Sequence, residues 1–157
     1  MAAEVEEDTA TLSDLNRQFE QLVPHNRALG LVILSLERAH ARIRLPYAEK
    51  LVGNPETGVL HGGAISAAMD AACGTAVFQA LPRRMAIATL DLRIDYVKLG
   101  TPRRDIVIHT HCYKVTRNVA FVRGVAYHDS EDDPIATATG TFMLGTRTQL
   151  APRPFGP

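Results

Sequence analysis

Apolar side chains recur at Leu12, Leu15, Phe19 and Leu22, a spacing that predicts a helix from Thr11, with Ser13 and Asp14 in its first turn. Pro24 ends that helix. Residues 29–36, LGLVILSL, form an apolar run of strand length. Residues 39–47 alternate, with Ala41, Ile43 and Leu45 on one face and Arg42 and Arg44 on the other, the signature of a half-buried strand. Gly53, Pro55 and Gly58 then mark a loop over residues 48–60. Beyond Met85 the pattern is again strand-like, in four long segments: 85–97, 105–115, 119–129 and 134–144. Short turn-forming stretches separate them (KLGTPRR, TRN and SEDD), so the strands run antiparallel.

Between the two groups of strands lies GVLHGGAISAAMDAACGTAVF, which predicts a helix from about Gly62 to Leu81, closed by Pro82. Through residue 76 its only large side chains are Ile65 and Met69. A helix that is small and apolar all round is one that other elements wrap closely. One strongly curved antiparallel sheet of about six strands, wound around one long helix, makes an α+β domain. Its span is 11–146, with residues 1–10 read as a disordered tail and 147–157, rich in proline and arginine, as a second tail. The apolar pocket is expected around Met69, Phe78 and the sheet.

Composition narrows the partners. Seventeen basic and seventeen acidic side chains balance in a chain of 157 residues, which removes the electrostatic reason to propose nucleic acid. The longest apolar runs are far too short to span a bilayer, so no membrane partner is expected. The N-terminal stretch is acidic and has no basic or apolar signal region. Cys73 and Cys112 sit in apolar contexts and read as buried thiols of a reducing compartment, which points to the cytoplasm. His109 and His111 share one strand face, but no third ligand is evident nearby, and no metal is expected.

The segment HGGAISAAMD at a helix start, followed by four antiparallel strands that open with TLDLRIDYVKLGTP, resembles the hotdog-fold thioesterases, most closely their phenylacetate-degradation (PaaI-like) branch. The resemblance covers about residues 25–145. It implies hydrolysis of an acyl-CoA thioester, with aromatic or medium-chain acyl groups and no cofactor beyond the coenzyme A ester itself as substrate.

On that footing the motif residues acquire roles. Gly62 and Gly63 open the helix, where the first amides have no partner within it, and the Gly62 N–H can hold a thioester oxyanion. Gly63 lets the backbone approach the substrate. Asp70 is poor for both helix propensity and burial, and acts as general base or nucleophile. His61 orients the thioester or a water, or caps the helix. The family places an asparagine before the histidine with five residues between them; here six, PETGVL, separate Asn54 from His61, and Pro55 holds the expected position. Thr89 falls on the strand where relatives carry a hydroxyl near the acid. Lys98, Arg103, Arg104 and Arg117, at strand ends and turns, are the cations available to the phosphates of coenzyme A.

Eight residues of straight helix separate Gly62 from Asp70 by about 12 Å, too far for both to meet one carbonyl carbon. If both are catalytic they come from different subunits, which predicts a homodimer with two shared sites and, as in many relatives, a tetramer built as a dimer of dimers. Two other readings use the same fold. One is a dehydratase or hydratase of hydroxyacyl thioesters; the other is a non-catalytic acyl-CoA-binding protein.

Overall fold

The computed structural model describes residues 2–145, and side chains from residue 12. The C-terminal tail expected over 147–157 lies outside them. Helices α1 (Ala2–Leu22) and α2 (Pro24–Leu29) come first, then strands β1 (Val32–Glu37) and β2 (His40–Leu45). A one-turn 3-10 helix (Glu49–Leu51) leads into a small hairpin of β3 (Val52–Asn54) and β4 (Val59–Leu60). The long helix α3 (Gly62–Ala80) follows, then β5 (Ile87–Tyr96), β6 (Ile106–Val115), β7 (Val119–Tyr127) and β8 (Ala136–Leu144). The main sheet has six antiparallel strands in the order β1-β2-β6-β7-β8-β5. No described helix is long and apolar enough to cross a membrane.

Four features differ from the sequence pattern. α1 is helical from Ala2, and so takes in residues read as a disordered tail. Pro24 ends α1 but also starts α2, because proline at the first helical position gives up only an amide that has no intrahelical partner. Leu29 therefore closes a helix, capped by Gly30 in the left-handed region (φ 71°), and β1 begins only at Val32. The loop over 48–60 contains the hairpin β3–β4.

The composition of α3 explains how the sheet closes around it. Ala64, Ala68, Ala72 and Ala76 recur every fourth residue and are all buried, flanked by Ile65, Met69, Cys73 and Val77, buried as well. This row faces the inner residues of the sheet, among them Ile43, Leu45, Ile108, Val122 and Phe142. Thr110 ties the two layers together, its hydroxyl donating to the Ala72 carbonyl at 2.9 Å. Met69 thus belongs to the core rather than to a pocket, which corrects the expectation placed on it.

Curling leaves β1 and β5 as the two edges of the sheet. α1 covers the first. The Asn16 carboxamide accepts from the Ile33 N–H at 2.7 Å and donates to the Ile33 carbonyl at 3.0 Å, capping the edge where the β1–β2 register shifts. Asn16→Ala leaves both groups without that partner. The expected loss is about 1–3 kcal/mol of stability, read as a fall of several degrees in Tm by calorimetry. An unchanged Tm would show that α1 is held by its apolar face alone.

Candidate active site

The face of α3 turned away from the alanine row carries the chemistry. Asp70 lies on it, half-buried, and accepts a hydrogen bond from the Thr89 hydroxyl at 2.8 Å. Helix and edge strand run antiparallel, so β5 meets α3 at Thr89–Asp70 in the middle and at Tyr96–Gly62 near the helix start. The Thr89 contact is a consequence of packing between segments 19 residues apart.

Asp70 opens into a cavity of about 790 Å³ bounded by α1, α2, α3 and the strands β1, β5 and β8. Leu15 and Phe19 come from α1, Phe78 from α3, Ile87 from β5 and Phe142 from β8. Most of this lining is apolar, with the Asp70–Thr89 pair as a polar spot on the wall. Phe78 does line it, as expected. Arg84, on the loop after α3, also reaches the wall and was not anticipated from the sequence. Its only signal was a basic pair in PRRM just after the helix stop. Cys73 is no rival nucleophile. Burial first, then the Asp70 charge and Cys112, push its thiol up to about 12, so it stays protonated.

At the start of α3 the His61 ring folds back as the helix cap. Its Nδ1 accepts from the Gly63 N–H at 2.9 Å. With Nδ1 as acceptor, the ring proton sits on Nε2, which leaves Nε2–H as a donor on an exposed side chain. A Cβ on residue 63 would stand 2.8 Å from Nδ1, so glycine is what allows this cap. The Gly63 amide is therefore committed to His61. The Gly62 N–H has no such partner among the described residues and is the available donor at the positive end of the helix.

Tyr96 and Ser66 complete this end, and neither was singled out in the sequence. The Tyr96 hydroxyl donates to the Gly62 carbonyl at 2.5 Å and lies 2.7 Å from Ser66 Oγ. Ser66 Oγ also donates to the Gly62 carbonyl at 3.1 Å. These contacts hold the Gly62 carbonyl and with it the first turn of α3.

Asn54 lies at the end of β3, next to Gly53, which packs against His61. Its Oδ1 accepts from the Glu56 N–H at 2.9 Å, so the side chain closes the hairpin turn and does not reach Asp70 of its own chain. The extra residue before His61 is accommodated by this turn, in which the Asn54 carbonyl also accepts from Gly58 at 2.8 Å.

The four cations divide between the two ends of the sheet. Lys98, Arg103 and Arg104 lie near the α3 start. Lys98 pairs with Asp133, Arg104 donates to Asp129 at 2.6 Å, and Arg103 borders a smaller recess of about 350 Å³ with Tyr47 and Gly58. Arg117 sits in the β6–β7 turn at the opposite end. On the outer face of the sheet His109 Nδ1 is 3.0 Å from Glu131 and its Nε2 is 3.0 Å from His40 Nδ1, a hydrogen-bonded row. No metal-holding cluster occurs among the described residues.

Residues 57–135 match the family model described as the thioesterase superfamily. The chain belongs to the thioesterase superfamily. Among its relatives are the proteins named medium/long-chain acyl-CoA thioesterase YigI of Salmonella typhimurium and Escherichia coli. They are 33% and 32% identical over 144 residues, covering 83% of this chain and 92% of each relative. A crystal structure of a Pseudomonas aeruginosa protein superposes with a TM-score of 0.74 at 42% identity, covering 84% of this chain and 97% of that one. The phenylacetic acid degradation protein PaaI of Thermus thermophilus, in a mutant structure, has the same fold at 23% identity, with a TM-score of 0.67 over 77% of this chain and 98% of that one. As a member of this superfamily the chain has the hotdog fold, α3 being the helix that the curved sheet surrounds.

Proposed function

We propose that this protein is an acyl-CoA thioesterase that hydrolyses medium- to long-chain acyl-CoA at sites shared between two copies of the chain. The observation that carries this reading is Asp70, oriented by Thr89, opening into a large apolar cavity within a thioesterase-superfamily fold. Water adds to the thioester carbonyl, the C–S bond breaks, and the sulfur leaves with a proton as the free thiol, giving a carboxylic acid and coenzyme A. Asp70 either removes the proton from the attacking water or attacks the carbonyl itself and is then released by water. Hydrolysis in this reading needs only water, with no metal or redox cofactor.

The free edge of the sheet supports the shared site. Among the described residues β5 has no partner on its outer side. Around it Leu90 is 51%, Tyr96 47%, Val97 58% and Phe78 42% exposed, an apolar border to an unpaired strand. Antiparallel pairing of β5 with its own copy, about a two-fold axis between Thr89 and Tyr96, brings the Gly62 end of one chain toward the Asp70 of the other. The Gly62 N–H of one chain then faces the carbonyl that Asp70 of the other attacks. Solution mass at two or four times that of the chain is the expected state. In this reading the phosphates of coenzyme A are met by Lys98, Arg103 and Arg104, two of which now pair with Asp133 and Asp129.

Cavity volume and the names of the relatives both favour long acyl groups over aromatic ones. Each additional buried methylene is worth about 0.8 kcal/mol, so kcat/KM should climb with chain length until the cavity is full. The test is thiol release from hexanoyl-, decanoyl-, palmitoyl-, benzoyl- and phenylacetyl-CoA. Decanoyl- or palmitoyl-CoA is expected to exceed both aromatic esters by about tenfold or more. A panel led by phenylacetyl-CoA would place the enzyme with aromatic substrates, and tight binding without thiol release would make it a binding protein.

A further inference from the structure

We propose that Gly74 determines how long an acyl chain this enzyme accepts. The inference rests on the thioesterase reading and deepens it. Gly74 sits in the middle of α3, one turn beyond Asp70. Glycine inside a helix lowers its stability relative to alanine, so a glycine here calls for a reason.

The usual reasons are missing. The residue is helical, so no left-handed backbone requires glycine. Nor does a close approach require it. A Cβ on residue 74 would meet Ile87 Cδ1 and Phe142 Cε1, each at 3.7 Å, which is ordinary van der Waals contact. Alanine would fit without moving anything. What the absent side chain leaves is open volume, because Gly74, Ile87 and Phe142 all line the large cavity.

The position of that volume matters. The cavity follows α3 from Asp70 past Ala71 and Gly74 to Phe78, with Phe19 of α1 also on its wall. A thioester whose carbonyl is held at Asp70 sends its chain past Gly74 after about 6 Å of helix rise. A short acyl group ends before that point, while a long one must pass it. A side chain on residue 74 projects into the path and narrows it for long substrates selectively.

The test compares Gly74→Ala and Gly74→Leu with wild type, following thiol release from butyryl-, decanoyl- and palmitoyl-CoA, together with thermal melting and solution mass. The ratio of kcat/KM for palmitoyl- to butyryl-CoA is expected to fall about tenfold or more in Gly74→Leu and to a smaller extent in Gly74→Ala, chiefly through KM for the long ester. Gly74→Ala is also expected to melt about 2 °C higher, from helix propensity alone. A merely structural role would move Tm and all three substrates together. An unchanged ratio in a folded Gly74→Leu of native mass would overturn the inference. Should that variant not fold, an unchanged ratio in Gly74→Ala would do so. A wild type that releases no thiol from any ester would overturn the thioesterase reading and this inference with it.

Discussion

Asp70→Asn is expected to lower kcat for thiol release by a hundredfold or more while Tm and oligomeric mass stay close to wild type. The substitution keeps the shape of the side chain and an oxygen able to accept from the Thr89 hydroxyl, now 2.8 Å from Asp70 Oδ1. What it removes is the ability to take a proton or to form a bond to carbon, functions that an amide does not supply. Because the group acts on the transition state, KM should change little and kcat/KM should fall in step with kcat. Thr89→Val removes the orienting donor but leaves the carboxylate, and a loss of about tenfold in kcat is expected from misplacement alone. Thiol release measured with a disulfide dye checks both. Undiminished turnover in Asp70→Asn would exclude this carboxylate from the chemistry and leave the fold intact.

The second large effect comes from Gly62→Pro. Proline has no N–H, so it deletes the proposed oxyanion donor. The backbone tolerates it, since residue 62 is the first position of α3 and His61 before it is extended, with φ −64° and ψ 134°. Removing one donor of this kind is expected to lower kcat by about 100- to 1,000-fold.

The combination of the two variants decides who shares the site. Neither Asp70→Asn nor Gly62→Pro alone has an intact site. In a mixed dimer one site holds both defects, and the other pairs the native Gly62 of one chain with the native Asp70 of the other. With statistical mixing by co-expression, half the dimers are mixed and half of their sites are intact, so activity should recover to about a quarter of wild type. Recovery to that level requires the two groups to come from different chains. No recovery in a sample shown by mass spectrometry to contain mixed dimers would place both groups of each site in one chain, against the helical separation of about 12 Å.

Much of this protein was legible before folding was considered. Alternation in ARIRL and the four long segments after Met85 mark the strands of the main sheet, because a strand buried on one face must repeat with period two. The alanine row of α3 shows as a helix without bulk, and bulk is what a sheet wrapped this tightly excludes. Asp70 stands out because a carboxylate among alanines is costly unless it has a task. The α2 start was missed because proline both stops and starts helices, and the pattern alone does not distinguish the two. The small hairpin at 52–60 was missed because its strands are only three and two residues long, too short for any period to show.

What the sequence determined by itself is local: which segments repeat with which period, where a helix can begin, and which side chains carry chemistry out of keeping with their surroundings. What only the tertiary structure decided is adjacency. Thr89 meets Asp70, Tyr96 and Ser66 hold the Gly62 carbonyl, and Arg84 reaches the same cavity because α3 and β5 pack antiparallel. That adjacency is set by the summed packing of alanines against a curved sheet. Such packing depends on shape and volume over the whole core, and no short stretch of the chain encodes it. The commitment of Gly63 to the His61 ring, and the absence of any such need at Gly74, belong to the same order of information. A glycine looks alike in every sequence, and only its neighbours in space reveal whether it serves a turn, a close contact or an empty volume.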